Sequence, residues 1–422
     1  MRLFDENELT ERIRLNYQRL AVGEEYSIER VFREPGYGWQ GDFEGRALLA
    51  FTCHLKLGRE IGCMEKMLGM LEEKTSGRLF FGLPTGEDAA INEQQLSGHS
   101  WYLRGLCEHY ELCGDSLSLK AAKETFRWLY LPIAGRLSTY PTDSRAGSGG
   151  VSGSSSDIQN GWLLSTDVGC VVMSLDGLSH YFKVTDDPRA KAICDELAGL
   201  LDSTNIETLK MQTHCTLTAA RGLLRLYEIT FDRRYLALAE KIMRLYVKSG
   251  MTYTYQNYNW WGRRDSWTEP CAIVDSLMLA GQLYEITGSE DYRRLAARVW
   301  HNGFASSQRS NGGAGTDVTV DSERPVLKSK MYEAWFCCSM RLAEGLLYAD
   351  SHRELLGAEV TGRPVKDRLG RWMDGDIIYA AVPEEYRKDT VETSDGLLSP
   401  LLKYYRIPKD EIEKLEQRIV FN

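Results

Sequence analysis

Glu269-Pro270-Cys271 and Cys337-Cys338 bring one carboxylate and three thiols into two short pieces of this chain. Each piece opens an apolar helical stretch, so all four side chains are placed to point into one cavity. Zn²⁺ takes about four ligands drawn from thiolate, imidazole and carboxylate, and this set fills that number without a histidine. A bound metal also keeps a thiol deprotonated, which is its nucleophilic form. The chemistry suggested is a metal-supported cysteine nucleophile. The alternative is three ordinary buried cysteines, since free Cys packs as a small hydrophobe.

Further clusters carry residue types suited to carbohydrate. Residues 38–46 contain Trp39, Asp42 and Glu44 at the entry to a helix, and residues 92–99 end in His99 just before the helix at Trp101. Residues 157–162 contain Gln159 and are followed by Asp167; His214 heads the helix near Cys215. An aromatic run over 253–261 precedes Asp265 and then Glu269. Each has a structural alternative: Asp42 as an N-cap, Glu44 facing the helix dipole, the histidines as hydrogen-bonded packing residues. The clusters recur before nearly every inner helix, which a purely structural ring does not need. Aromatic faces match the C–H faces of sugar rings, and amides and carboxylates match their hydroxyls, so a small-molecule or glycan site is expected on this rim.

The elements that position these residues are helices in pairs. Apolar residues recur at three- and four-residue spacing over 47–57, 101–112, 168–182, 217–229, 273–286 and 338–348. Related turns follow four of them, beginning at Tyr110, Tyr181, Tyr227 and Tyr284, with Thr, Gly and Asp suited to a helix stop and a new N-cap. About six such pairs fit between residues 9 and 350, which predicts an all-α (α/α)6 barrel around a central cavity, with an open solenoid as the alternative. The Gly/Ser-rich stretch 143–157 reads as a lid or an unstructured excursion. Beyond about residue 355 the pattern changes to a turn at 370–375, a strand at 376–382 and a helix near 408–417. The expected division is a catalytic barrel over 1–355 and a short mixed extension over 356–422, packed on it.

A chain of 422 residues with 43% hydrophobic content buries a substantial core, and a net charge of −9 argues against nucleic acid and anionic membranes as partners. No apolar run reaches the roughly 18 residues needed to span a bilayer. The N-terminus is charged and lacks a signal-peptide core. A soluble, cytoplasmic protein with its ten cysteines reduced is expected.

The Glu-x-Cys followed much later by Cys-Cys is similar to the zinc-thiolate site of the β-L-arabinofuranosidase family, glycoside hydrolase family 127. Glu269-Pro-Cys271-Ala, then Tyr284-Glu-Ile-Thr-Gly, Asp291-Tyr292 and Trp300-His-Asn302-Gly303-Phe, and later Phe336-Cys337-Cys338-Ser-Met-Arg341, carry the resemblance over roughly 265–350. Gly98-His99 also resembles a Gly-His of that family. The resemblance implies an (α/α)6 barrel, Zn²⁺ on Glu269, Cys271, Cys337 and Cys338, and retaining furanoside hydrolysis through a glycosyl-cysteine at Cys337. It also implies an acid/base glutamate upstream of Glu269. The aromatic run 253–261 occupies that place, and the first carboxylate after it is Asp265.

The reading is a glycoside hydrolase acting on a short oligosaccharide, possibly an L-arabinofuranoside. Cys337 is its nucleophile, Asp265 or Glu44 its acid/base, and Trp39, Asp42, His99, Gln159 and His214 touch the sugar. One rival is a barrel uronyl hydrolase or epimerase working through Asp42, Asp167 and His214. The other is a non-catalytic glycan-binding barrel with structural zinc.

Overall fold

Six helices enclosed on nearly every side form a ring: Asp42–Lys56, Glu93–Cys113, Ser174–Thr185, Thr213–Thr230, Pro270–Thr287 and Cys338–Ser351. Each packs on the next, and the last packs on the first. In this computed structural model the described residues are 6–34, 36–86, 90–143, 151–252, 255–317, 319, 329–357 and four strands beyond them. Outer helices alternate with the inner ones along the chain. Ser116–Thr125, Pro188–Ser203, Arg233–Leu245 and Glu290–Arg298 each pack on the inner helix before them, and Glu6–Val22 packs on Cys338–Ser351. The helix Cys63–Gly69 serves the first inner helix in the same way. The expected (α/α)6 barrel is the fold.

The two rings differ in pattern because they differ in surroundings. On the outer helix Arg233–Leu245 the buried residues are Tyr235, Leu238, Ala239, Ile242 and Met243, a single stripe at helical spacing. The inner helices bury almost every residue, polar ones included. This explains the largest boundary error: the helix expected at 101 starts at Glu93. Buried Gln94, Gln95, Ser97 and His99 interrupt the apolar period there, and Asn92 is the true N-cap, accepting from the backbone N–H of Gln94 and Gln95. The stretch 168–182 is instead a short 3₁₀ turn, Cys170–Met173, leading into Ser174–Thr185.

The repeated turns work as their chemistry predicts. Gly114, Asp186, Phe231 and Gly288 each close a helix in the left-handed conformation. The next residues Asp115, Asp187 and Asp232 accept backbone N–H bonds at the start of the following helix.

Residues 157–162 belong to a β-hairpin, Ser155–Gln159 with Trp162–Ser165, joined through Asn160-Gly161 at φ 50° and 81°. Asn-Gly supplies the two left-handed residues that such a tight turn requires. Ile91–Asn92 pairs in parallel with its second strand, tying the hairpin to the Glu93 helix. A second antiparallel pair joins Gly315–Asp317 to Ser329–Glu333. Arg363–Pro364, Trp372–Asp374, Ile377–Tyr379 and Tyr404–Arg406 form a four-stranded antiparallel sheet in chain order. The helix expected at 408–417, the middle of the Gly/Ser stretch at 144–150, and Tyr253 lie outside the described residues. No described helix is long and apolar enough to cross a membrane.

Candidate metal centre and cavity

Both sulfur-bearing pieces sit where inner helices begin. Glu269 is the N-cap of Pro270–Thr287, with Pro270 in the first turn where its missing N–H costs nothing. Cys337 is the N-cap of Cys338–Ser351. A helix N-terminus favours anionic groups, so both placements suit a carboxylate and thiolates.

Glu269, Cys271, Cys337 and Cys338 each offer a donor atom, and these atoms all lie within 4.8 Å of one another. Cys338 Sγ is 3.3 Å from both Cys271 Sγ and Cys337 Sγ. A tetrahedral metal with bonds of about 2.3 Å to sulfur needs sulfurs roughly 3.8 Å apart, so small side-chain movements accommodate it. The donor set, three sulfurs and one oxygen, suits Zn²⁺ and not Mg²⁺ or Ca²⁺. Burial works against ionising Cys271, but the Cys337 and Cys338 thiols beside it, then Arg46 and His214, hold it well below the usual thiol range. Cys337 and Cys338 are pushed up in turn.

Charged groups brace the donors from behind. Arg46 Nη1 reaches to 3.7 Å from Cys271 Sγ while its Nε donates to both oxygens of Asp42. His214 Nδ1 lies 3.2 Å from Glu269 Oε1, and its Nε2 lies 3.3 Å from Asp275 Oδ2. Burial opposes the charged ring, but Glu269, Asp275 and Cys271 raise His214 to about 10. Arg221 and Arg341 both pair with Asp275, and Arg221 continues to Glu344. Trp101 stacks on His214 and lies under the Arg46 and Arg341 guanidinium groups.

A cavity of about 350 Å³ opens over this centre. Cys337 and Glu269 form part of its wall together with Trp39, Asp42, Asp167, Gln212 and His214; Arg33, Tyr37, Trp335 and Phe336 line it as well. Cys271 and Cys338 are fully buried, so Cys337 is the thiol presented to the cavity.

The five expected residues Trp39, Asp42, His214, Glu269 and Cys337 therefore meet at one place. Four others do not line it. Asp265 is 69% exposed and pairs with Arg263. Gln159 sits on the hairpin, where its amide binds Asp157. Glu44 is buried behind the wall and accepts from the Arg33 backbone N–H; burial pushes it up to about 7. The His99 ring is enclosed: Nδ1 contacts the Gln95 carbonyl and Nε2 accepts from the Phe81 backbone N–H, and burial lowers it to about 4.

Asp167 does line the cavity. Its carboxylate accepts from Ser152 Oγ at 2.6 Å, Gly153 N at 2.8 Å and Gln212 Nε2 at 3.0 Å. Burial pushes it up to about 7 against those bonds. Gln212 Nε2 also reaches Glu269 Oε2 at 3.3 Å, linking Asp167 to the candidate donor set. Gln212, Asp275 and Arg46 were not singled out from sequence. Helical spacing held a signal for two of them: Asp275 is four residues after Cys271, and Arg46 four after Asp42, so each shares a face with its neighbour.

No protein-family model matches the sequence, and no curated protein matches it. Solved structures do match in fold. A β-arabinofuranosidase of glycoside hydrolase family 127 is similar at 13% identity and TM-score 0.51, over 91% of this chain and 63% of that one. A family 127 β-L-arabinofuranosidase from Geobacillus stearothermophilus T6 is similar at 11% identity and TM-score 0.52, over 89% and 65%. The chain thus spans less than two thirds of either. A cellobiose 2-epimerase from Bacillus thermoamylovorans B4167 is similar at 13% identity and TM-score 0.52, over 82% of this chain and 98% of that one. At these identities the likeness is one of fold.

Proposed function

We propose that this chain is a carbohydrate-processing hydrolase of the retaining type. It would act on a short glycan, with an L-arabinofuranoside the first candidate, through Cys337 as nucleophile. The observation that carries this reading is the convergence of Glu269, Cys271, Cys337 and Cys338 beneath a cavity whose wall Cys337 forms.

The cavity takes a monosaccharide ring with Trp39 and Trp335 as flat apolar faces. The Cys337 sulfur attacks the anomeric carbon, forming a C–S bond as the glycosidic C–O bond breaks. Asp167, protonated at its buried carboxyl, gives its proton to the leaving oxygen. The Asp167 carboxylate then takes a proton from water, whose oxygen displaces the sulfur and releases the sugar. Zinc on the four donors, when bound, would keep the Cys337 sulfur deprotonated at neutral pH and ease its departure. Gln212 orients Asp167, and His214 fixes the Glu269 carboxylate.

The Asp/His rival is less well supported by geometry. Both ring nitrogens of His214 face carboxylates, which leaves neither to abstract a substrate proton. The test is zinc content and furanoside turnover on the wild type, Cys337→Ala, Asp167→Asn and Cys271→Ser. The proposal expects about one zinc per chain, lost in Cys271→Ser, and turnover that depends on both Cys337 and Asp167. A metal-free, reduced wild type, or full turnover by Cys337→Ala, would overturn it.

A further inference from the structure

We infer that the sugar this cavity accepts carries an anionic group, and that Arg33 is the residue that binds it. The inference rests on the reading that the cavity holds a sugar. Arg33 lines the same wall as Cys337. Its guanidinium lies 4.1 Å from the Phe43 ring centre, 4.9 Å from that of Trp335 and 5.9 Å from that of Tyr37. Its Nη2 is buried and has no hydrogen-bond partner among the described residues.

Arg221 and Arg341 also carry buried nitrogens without a hydrogen bond, but Arg33 differs from the arginines near the site in pairing with no carboxylate among the described residues. Arg46 is bound by Asp42, and Arg221 and Arg341 by Asp275. Glu44, which lies behind Arg33, accepts from its backbone N–H and feels its charge, but makes no direct ion pair with its guanidinium. A buried charge-bearing donor left unmatched is rare, because its lost hydration has to be replaced. The rings of Phe43, Trp335 and Tyr37 surround the guanidinium, and an N–H edge that includes Nη2 is still to be satisfied. That edge matches the two oxygens of a carboxylate, or those of a sulfate or phosphate ester. Charge points the same way: Asp42 pairs with Arg46, and Glu269 faces His214. Arg33 is the cation left to meet a ligand.

Trp335 and Phe336 connect this position to the reacting sulfur, being the two residues before Cys337. Trp335 packs on Arg33 and lies edge-on to Phe336. A ring lying against Trp335 would therefore reach Cys337 at one side and Arg33 at another.

The experiment is calorimetric binding to the full-length, zinc-loaded chain. The probes are galactose, galacturonate, galactose 6-sulfate and galactose 6-phosphate, with the matching glucose series and methyl β-L-arabinofuranoside as the furanose reference. At least one acidic sugar should bind roughly tenfold or more tightly than its neutral counterpart, and whichever oxyanion binds best names the group. The preference should shrink in high salt, vanish in Arg33→Met and return in part in Arg33→Lys. Thermal melting of both variants checks that they are folded. Binding is read without turnover, so the result stands whatever becomes of hydrolysis. Equal binding of neutral and acidic sugars, or an unaltered preference in folded Arg33→Met, would overturn the assignment to Arg33. No binding by any of the sugars would count against the sugar cavity itself.

Discussion

Arg46 Nη1 stands 3.7 Å from the sulfur of Cys271 while its Nε holds both oxygens of Asp42. One buried cation therefore serves the floor of the candidate metal centre and the wall of the cavity. Outer-shell partners of this sort typically contribute 10- to 100-fold in metal affinity. Arg46→Met should weaken zinc binding by about that factor, read by competition with a chromogenic chelator. It should also destabilise the fold by about 3–5 kcal/mol, because Asp42 is left buried without its partner. The double variant Arg46→Met/Asp42→Asn should recover much of the stability and little of the zinc affinity. Recovery of both together would mean that Arg46 acts only through Asp42.

Asp167 gives the proposed reaction its pH dependence. Its carboxyl titrates at about 7, with Glu269 and His214 as the charged groups facing it. A group that must donate a proton is active below its pKa, so kcat/KM should fall as pH rises through about 7. Asp167→Asn should remove that limb and lower turnover roughly 10²- to 10⁴-fold on poor leaving groups. Nitrophenyl glycosides, which leave without a proton, should be spared in the bond-breaking step. Stability runs in the same direction. The folded pKa lies above the ordinary value, so the contribution is present at low pH and lost as pH rises through about 7. Asp167→Asn should therefore melt higher than wild type by a margin that opens between pH about 4 and about 7 and is level above that.

His99 has the opposite sign. Its enclosed ring works only as the neutral form, with Nε2 accepting from the Phe81 N–H, and burial lowers it to about 4. Stability is thus full above the ordinary imidazole pKa of about 6.5 and is lost as pH falls toward about 4. His99→Phe should cost about 1–3 kcal/mol at pH 7 by orphaning the Phe81 N–H, and should flatten the acid limb of the melting curve. Substrate KM should not move, because the ring does not line the cavity. A raised KM at unchanged stability would restore His99 as a sugar contact.

The four candidate donors were legible in the sequence because chemistry and position coincided: four ligand-type residues stand at two helix starts. The sequence showed the barrel because outer helices such as Arg233–Leu245 carry a clean stripe and the turns repeat. It misplaced Glu44 for a simple geometric reason. Two residues along a helix rotate by about 200°, so if Asp42 faces the cavity Glu44 faces away. Asp265 failed because loop side chains follow no period, and here Arg263 draws the carboxylate outward. The hairpin was legible in Asn160-Gly161 and was read as a rim cluster. Arg33 left no mark, since an arginine without a partner is visible only once its neighbours are known.

Close packing of neighbouring inner helices holds these groups in register. Gly45 and Gly105 let the helices Asp42–Lys56 and Glu93–Cys113 meet backbone to backbone. A Cβ on Gly45 would fall 2.2 Å from Tyr102 N and 2.4 Å from the Trp101 carbonyl carbon, and one on Gly105 would fall 2.6 Å from Gly45 O. No side-chain rotation relieves contacts with backbone, so the helices must part. Overpacking of that kind costs about 1–3 kcal/mol and more where backbone has to move. Parting these two helices would also shift Asp42 and Arg46 on one against Trp101 on the other, beneath the metal centre. Gly45→Ala should therefore lower the denaturation midpoint and weaken zinc binding together. Gly199→Ala is the control: on the exposed face of Pro188–Ser203 an added Cβ meets nothing within 4 Å. There the change should stabilise by about 0.4–1 kcal/mol and leave zinc affinity untouched. A Gly45→Ala protein as stable as wild type would show that the two helices have slack, and the tight register argued for the site would fall with it.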